Sequence, residues 1–240
     1  MKAIVSGHSK GLGEAIAAAL MARGIAVLGL ARSAAPALAQ RFPHLFSEVQ
    51  IDLADSAALA HWIGAGALRR YLDGCACALL VNNAGVVQPV GALAQQEIDD
   101  VGRAVALNVA APLMLAAAVA QASAGAERRI LHVSSGAGRG AYPGWSVYCA
   151  TKAALDHHAR AVAQGAEAGT RICSLAPGVI DTGMQAEIRA IAPERFALRQ
   201  RFIELQRDGL LVAPGACAAA LVDYLLDDQF GAVPVDDLRD

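Results

Sequence analysis

Charge and aromatic rings are both scarce in this chain of 240 residues: 18% are Asp, Glu, Lys or Arg, and 5% are Phe, Trp or Tyr. There is no basic surplus, since 20 basic side chains stand against 22 acidic ones and leave a formal charge of −2. Binding along a nucleic-acid backbone needs cations to neutralise phosphates, so this balance counts against a nucleic-acid partner and leaves only a local basic patch compatible with one. Disorder is excluded by the opposite quantity, because 55% apolar residues bury enough surface to offset the entropy of ordering the chain. The five cysteines, Cys75, Cys77, Cys149, Cys173 and Cys217, include no C-x-x-C pair. That absence argues against a zinc knuckle or a dithiol redox site and for small buried hydrophobes in a reducing cytosol. No H-E-x-x-H run or carboxylate cluster accompanies any of the six histidines, so no metal site is expected. His8 is expected to face solvent, with contact to a phosphate as the competing reading.

Long hydrophobic runs are also few. The opening stretch Met1–Gly7 is too short for a secretory signal, and the expected location is cytoplasmic. One run, between Arg103 and Glu127, carries no charge over a bilayer's length. It contains Asn108, Pro112, Gln121 and Ser123, and its apolar content is mostly alanine. It reads as a helix buried in protein, and no membrane partner is expected.

What is present is a rhythm. Short β-branched runs alternate with alanine-rich helical stretches, the pattern of a parallel sheet with crossover helices, and no repeat or linker interrupts it. The predicted strands are Lys2–Ser6, Ile25–Ala31, Phe46–Asp52, Ala78–Asn82, Arg129–Ser134 and Thr170–Ala176. The predicted helices are Leu12–Arg23, Ser56–Leu72, Gln96–Ala124, Ser146–Gln164 and Ala213–Leu226, and Gly231–Asp240 is a strand or a tail. From Gly183 to Asp208 the pattern turns amphipathic and arginine-rich without a strand signal, which predicts a small helical lid over a substrate site. The expectation is one α/β domain over residues 1–240.

Strand one runs into Ser6-Gly7-His8-Ser9-Lys10-Gly11-Leu12-Gly13 and then into a helix. Glycines there allow close approach of a ligand, and the unpaired amides and dipole of a helix N-terminus attract a diphosphate. The spacing G-x-x-x-G-x-G differs from the general dinucleotide fingerprint, but its place between the first strand and first helix favours phosphate binding over a purely structural turn. The second strand ends Leu30-Ala31-Arg32-Ser33, where an NAD-selective site carries an acid for the ribose 2′-hydroxyl. Arg32 and Lys10 can instead bracket a 2′-phosphate, which favours NADP(H); the competing reading is two solvated cations.

Tyr148-Cys149-Ala150-Thr151-Lys152 places a phenol and an ammonium at i and i+4, on one helix face. An ammonium favours the phenolate and is expected to lower the Tyr148 pKa from its reference of about 10, suiting it to exchange protons with a substrate oxygen. With this pair the resemblance becomes specific. Gly7-x-x-x-Gly11-x-Gly13, Asn82-Asn83-Ala84-Gly85, Asn108, Ser135, Tyr148-x-x-x-Lys152 and Pro177-Gly178-Val179-Ile180-Asp181-Thr182 together resemble a classical short-chain dehydrogenase/reductase over essentially the whole chain. Ser6 is the one departure, where the family usually has threonine; a hydroxyl is retained.

The resemblance implies a Rossmann-like doubly wound fold and a carbonyl reductase. It implies that Ser135 orients the substrate carbonyl and that Tyr148 protonates its oxygen. Lys152 would hold the nicotinamide ribose, and Asn108 would bind a water that links Lys152 to solvent. On the cofactor side it implies Ser6, Gly7, Ser9, Lys10, Gly11, Leu12 and Gly13 of the loop, together with Arg32. Asp52 and Leu53 would lie near the adenine, unless Asp52 serves only as a turn or helix cap. Asn83, Ala84 and Gly85 would line the adenosine side, and Pro177, Gly178, Val179 and Thr182 the nicotinamide and diphosphate. The segment Ser134–Trp145, Gly178–Gln185 and Arg201–Leu205 are similar to the sepiapterin reductase-like branch and, within it, to the benzil reductase type that forms (S)-benzoin. That implies a small-molecule ketone substrate, one carbonyl of a vicinal diketone such as benzil.

Tyr142, Trp145, Met184, Ile188 and Phe202 can wall an apolar substrate cavity; equally, Trp145 can pack inside and Phe202 only anchor the lid. Arg189, Arg195, Arg199, Arg201 and Arg207 are expected to form ion pairs with Glu187, Glu194 and Glu204 on a solvated face. Several of them facing the cleft would point instead to an acidic substrate, such as a 3-oxoacyl thioester. A pteridine reductase of the same family fits these motifs as well. A non-enzymatic NADPH sensor fits the glycine loop but has no use for a proton donor. The long uncharged helix and the helix of Tyr148 predict a homodimer.

Overall fold

Lys2-Ala3-Ile4-Val5-Ser6 is an apolar run suited to burial on both faces. In the computed structural model, which describes residues 1–240, it forms β1 (Lys2–Ser6) inside a seven-stranded sheet. The other strands are β2 (Ala26–Ala31), β3 (Phe46–Gln50), β4 (Cys77–Asn82), β5 (Glu127–Val133), β6 (Thr170–Ala176) and β7 (Val235–Asp237). All pair in parallel in the order β3-β2-β1-β4-β5-β6-β7. The order reverses between β1 and β4, and a crevice opens at the carboxyl ends of strands on either side of such a switch.

Alternating side chains feed two apolar layers. Ala3 and Val5 point into one, with Ile16 and Leu20 of α1 (Gly11–Ala22) and Leu221 and Leu225 of α10 (Pro214–Leu226). Ile4, Leu28 and Leu80 point into the other, where they meet Leu59, Leu68, Leu115 and Val119. Alanine at many helix positions lets these helices lie close on the sheet.

Three segments differ from expectation. The single helix predicted over Ser56–Leu72 is two, α3 (Ser56–Gly64) and α4 (Ala67–Leu72), because Gly66 turns left-handed at φ +73°. A six-residue helix, α2 (Pro36–Arg41), was not foreseen; proline at its first position presets the backbone. The helix predicted over Gln96–Ala124 is α5 (Ile98–Val105) and α6 (Ala111–Ala122), joined by a π-helical turn at Ala106–Ala110. Pro112 explains the widened turn: it cannot donate to the carbonyl of Asn108, and its ring would crowd that carbonyl in a regular helix. The C-terminal segment supplies β7, which pairs with Ser174–Ala176.

The run Ile98–Ala122 is long and apolar enough to cross a membrane by length and composition. In the fold, Ala111, Leu115, Ala118 and Val119 of that run belong to the second apolar layer, over Ile4 and Leu80. Beyond α7 (Ser146–Gln164), the arginine-rich segment forms α8 (Gly183–Ala190) and α9 (Arg199–Arg207), which pack on each other.

Candidate active site

The crevice is a cleft of about 780 Å³ at the carboxyl ends of the strands. At the end formed by the glycine loop, Gly7 and Gly11 are left-handed, at φ +72° and +60°. A Cβ at Gly13 would lie 2.1 Å from the Gly7 carbonyl oxygen, so only glycine lets this turn close. No side chain caps the amides of the first turn of α1, which leaves them for an anion. Gly7, Ser9, Lys10, Gly11, Leu12 and Gly13 all line the cleft. The loop residues therefore fit a diphosphate.

Two loop residues behave differently from expectation. Ser6 does not line the cleft: its Oγ accepts from the amides of Asn83 and Ala84, each at 3.0 Å, and so clamps β1 to the segment after β4. His8 faces neither solvent nor phosphate. It is fully buried, its Nε2 bonds Glu48 Oε2 at 2.9 Å, and its ring lies against Gly29 of β2. Glu48 also accepts from the amide of Ala35, at 2.8 Å, just beyond Arg32 and Ser33.

Arg32 follows β2 and lines the cleft with Lys10, as do Leu53, Asn83, Ala84 and Gly85. Asp52 lines it too while also making a turn, accepting from the Ala54 amide at 3.0 Å. Burial pushes the Asp52 carboxyl up, but that amide and the guanidinium of Arg103, 3.1 Å away, hold it below the usual carboxylate range. Arg103 itself lines the cleft; it was not foreseen, because the Asp52–Arg103 pair joins residues far apart in sequence.

At the other end, Ser135, Tyr148 and Lys152 line the cleft, with Pro177, Gly178, Val179 and Thr182. Tyr148 sits in the first turn of α7 and Lys152 one turn later. The expected effect of the ammonium on the phenol is not what the geometry gives. Lys152 Nζ donates to the Val133 carbonyl at 2.8 Å and lies 5.7 Å from the Tyr148 ring centroid. Burial instead pushes the Tyr148 phenol up to about 12, with the Ser135 hydroxyl working in the other direction. Desolvation outweighs the neighbours, and the phenol is neutral at physiological pH. Burial likewise pushes the Lys152 ammonium down to about 8, against the pull of Asp156.

Asn108 lies in the π-helical turn, buried behind Gly85, whose Cβ would come within 3.2 Å of Asn108 Oδ1 and 3.8 Å of Lys152 Nζ. Its side-chain amide is hydrogen-bonded within the protein. Its amide donates to the Val86 carbonyl (2.8 Å) and Thr151 Oγ1 (3.2 Å) and accepts from the Val86 amide (2.9 Å). It thus bolts the turn to α7 beside Lys152, and a bound water is not required to satisfy it.

Tyr142, Trp145, Met184, Ile188 and Phe202 all line the cleft. Both readings of Trp145 hold: it is buried, stacked on Phe196 at 4.7 Å, and set edge-on to Tyr148 at 5.3 Å. Its indole Nε1 and the Gln185 Oε1 are buried without hydrogen-bond partners. Phe196, fully buried behind Trp145, was missed; it carries no motif and is recognised only by its neighbours.

The arginines of this segment do not pair with Glu187 or Glu194. Arg195 donates to the carbonyls of Val90 and Gln95, Arg199 to that of Arg189, and Arg207 pairs with Asp208. Loop carbonyls at helix ends offer them acceptors that the intrahelical spacing does not. Of the five, only Arg201 lines the cleft; the C-terminal Arg239 joins it there, unforeseen.

A family model described as "short chain dehydrogenase" matches residues 1–192. The chain is 32% identical over 235 residues to a benzil reductase ((S)-benzoin forming) of Bacillus cereus, covering 95% of this chain and 94% of that one. It is 30% identical over 244 residues to the sepiapterin reductase of Mus musculus, covering 95% and 92%. Among solved structures, a short-chain dehydrogenase/reductase from Burkholderia vietnamiensis is 50% identical, with 100% of this chain and 97% of that one covered at a TM-score of 0.73.

Proposed function

The chain belongs to the short-chain dehydrogenase family, and from that premise we propose that it is an NADPH-dependent carbonyl reductase acting on one carbonyl of a vicinal aromatic diketone such as benzil. The observation that carries this reading is the placement of Tyr148, Ser135 and Lys152 in the same cleft as the glycine loop. A reduced nicotinamide supplies a hydride equivalent when bound. Tyr148 donates its proton to the carbonyl oxygen, and Ser135 holds that oxygen by a second hydrogen bond. The ammonium of Lys152 offsets the charge left on the phenolate. The product is an α-hydroxy ketone.

Lys10 and Arg32 are the charges available to a 2′-phosphate, and no acid stands at the end of β2 to hold a ribose hydroxyl. The aromatic wall of Tyr142, Trp145 and Phe202 suits an aryl ketone. With only Arg201 of the five arginines at the cleft, an acidic acyl thioester finds less support. Residues 183–208 act as a lid in this reading, the enzyme works in the cytoplasm, and α5, α6 and α7 form a homodimer face.

The test compares initial rates of NADPH oxidation with benzil, 1-phenyl-1,2-propanedione, sepiapterin and an acetoacetyl thioester. Turnover of both diketones is expected; turnover of the thioester alone overturns the substrate assignment. Tyr148→Phe is expected to bind NADPH as before while losing about 10²–10⁴-fold in kcat. Undiminished turnover in that variant would remove Tyr148 from the chemistry.

A further inference from the structure

Asp156 lies on α7 one turn beyond Lys152 and is 1% exposed. A carboxylate so buried is unfavourable unless it is paired and hydrogen-bonded. Its Oδ1 accepts from Ser134 Oγ and from Ser174 Oγ, each at 2.7 Å. Its Oδ2 has no hydrogen-bond partner and faces Arg139 Nε at 3.5 Å. Arg139 is held in turn by the last strand, donating to the Asp236 carbonyl and lying 3.5 Å from Asp237 Oδ2.

The packing is too tight for this arrangement to be incidental. A Cβ at Gly138 would lie 2.8 Å from Asp156 Oδ2 and 3.0 Å from the carbonyl carbon of Lys152. The loop that begins at Ser135 is therefore pressed onto α7 at Asp156. Ser134, bonded to that carboxylate, is the residue before Ser135. One buried carboxyl group thus ties together the end of β5, β6, the Ser135 loop and, through Arg139, β7.

Asp156 also faces Lys152 in charge. The titratable groups around that ammonium are Tyr148 and Asp156 on its own helix and His132 on β5; Arg139 reaches Asp156 from the loop. Burial holds His132 neutral, at about 3, and Tyr148 is neutral as well. Asp156 is the carboxyl group of this set.

We propose that Asp156 is a positioning residue for the reduction, which without touching substrate orients the loop carrying Ser135 and keeps Lys152 charged, while Arg139 tempers its charge. The proposal rests on the reading that Ser135, Tyr148 and Lys152 perform the chemistry.

The composition offers a direct test. The chain has only three lysines, Lys2, Lys10 and Lys152, so the ¹³Cε signals of labelled lysine in the cofactor-free protein can be assigned by Lys2→Arg and Lys10→Arg. The Lys152 midpoint is expected at about 8 in the wild type. Asp156→Asn, which still accepts from both serines, is expected to lower it by about one pH unit. Arg139→Gln removes the opposing cation and is expected to raise it by about half a unit. The alkaline limb of kcat/KM for diketone reduction should move the same way in each variant.

Loosened packing would push both variants in one direction, so shifts of opposite sign support the proposal. Midpoints and limbs unmoved, or moved together, overturn it. Should Asp156→Asn fail to fold, Arg139→Gln decides alone, and no rise there refutes the proposal. If the midpoints diverge as stated while the wild type reduces no ketone, the charge assignment stands and the reading of the reaction falls.

Discussion

The two halves of the cleft are built from different material. Beneath the half that carries the glycine loop lie the two layers of the sheet, with 25 and 17 buried apolar residues and a single aromatic, Phe230, between them. Behind the half that carries Tyr148 is a cluster of eight buried residues, four of them aromatic: Trp145, Tyr148, Phe196 and Phe202. In a chain with 5% aromatic residues, that concentration separates two tasks. Small aliphatic side chains bring helices close to the sheet and fix where the strand ends and backbone amides lie. Large flat rings shape a wall, and their identity decides what fits against it.

If the separation is real, damage to one half should leave the other's property intact. Leu79, fully buried in β4, supports the first half. Leu79→Ala is expected to lower unfolding stability by about 3 kcal/mol in urea titration while leaving the ratio of benzil to acetophenone rates unchanged. A changed ratio would mean that the sheet layers also select substrate. Arg32→Ala acts on the surface of that half. About a tenfold weaker affinity for NADPH, with NADH unaffected, is expected from loss of one exposed charge-assisted contact; equal losses for both would show that the arginine does not read the phosphate. Trp145→Phe keeps a ring but shortens the wall beside Tyr148. It should change the preference for diketone over mono-ketone by about threefold, leave NADPH affinity unmoved, and lower the urea midpoint, because the smaller ring leaves a void against Phe196. A shift in midpoint without a shift in preference would reverse the assignment of that residue.

The same division explains what could be read in advance. Strands and long helices were legible because their signal is local: β1 and β6 fall on the predicted Lys2–Ser6 and Thr170–Ala176, and α7 on Ser146–Gln164. The glycine loop and the Tyr148–Lys152 pair were legible for the same reason, each being a short run at a definite place in the strand–helix rhythm. What escaped depends on partners remote in the chain. The Asp52–Arg103 pair, the stacking of Phe196 on Trp145 and the arginines that reach loop carbonyls are of this kind. The state of Tyr148 was misjudged because i,i+4 spacing reports nearness to Lys152 but not burial, and burial dominates.

Gly29 has an ordinary strand conformation in the middle of β2, away from every turn, yet a Cβ there would come within 2.5 Å of the His8 ring. The imidazole fills the hollow that the missing methyl leaves and reaches Glu48 behind it. The glycine loop is therefore seated from the rear, like a plug in a socket cut into the neighbouring strand. A comparison of relatives that scores only the loop's own glycines would overlook the socket, and a methyl group there would unseat the loop while every residue of its motif stayed in place.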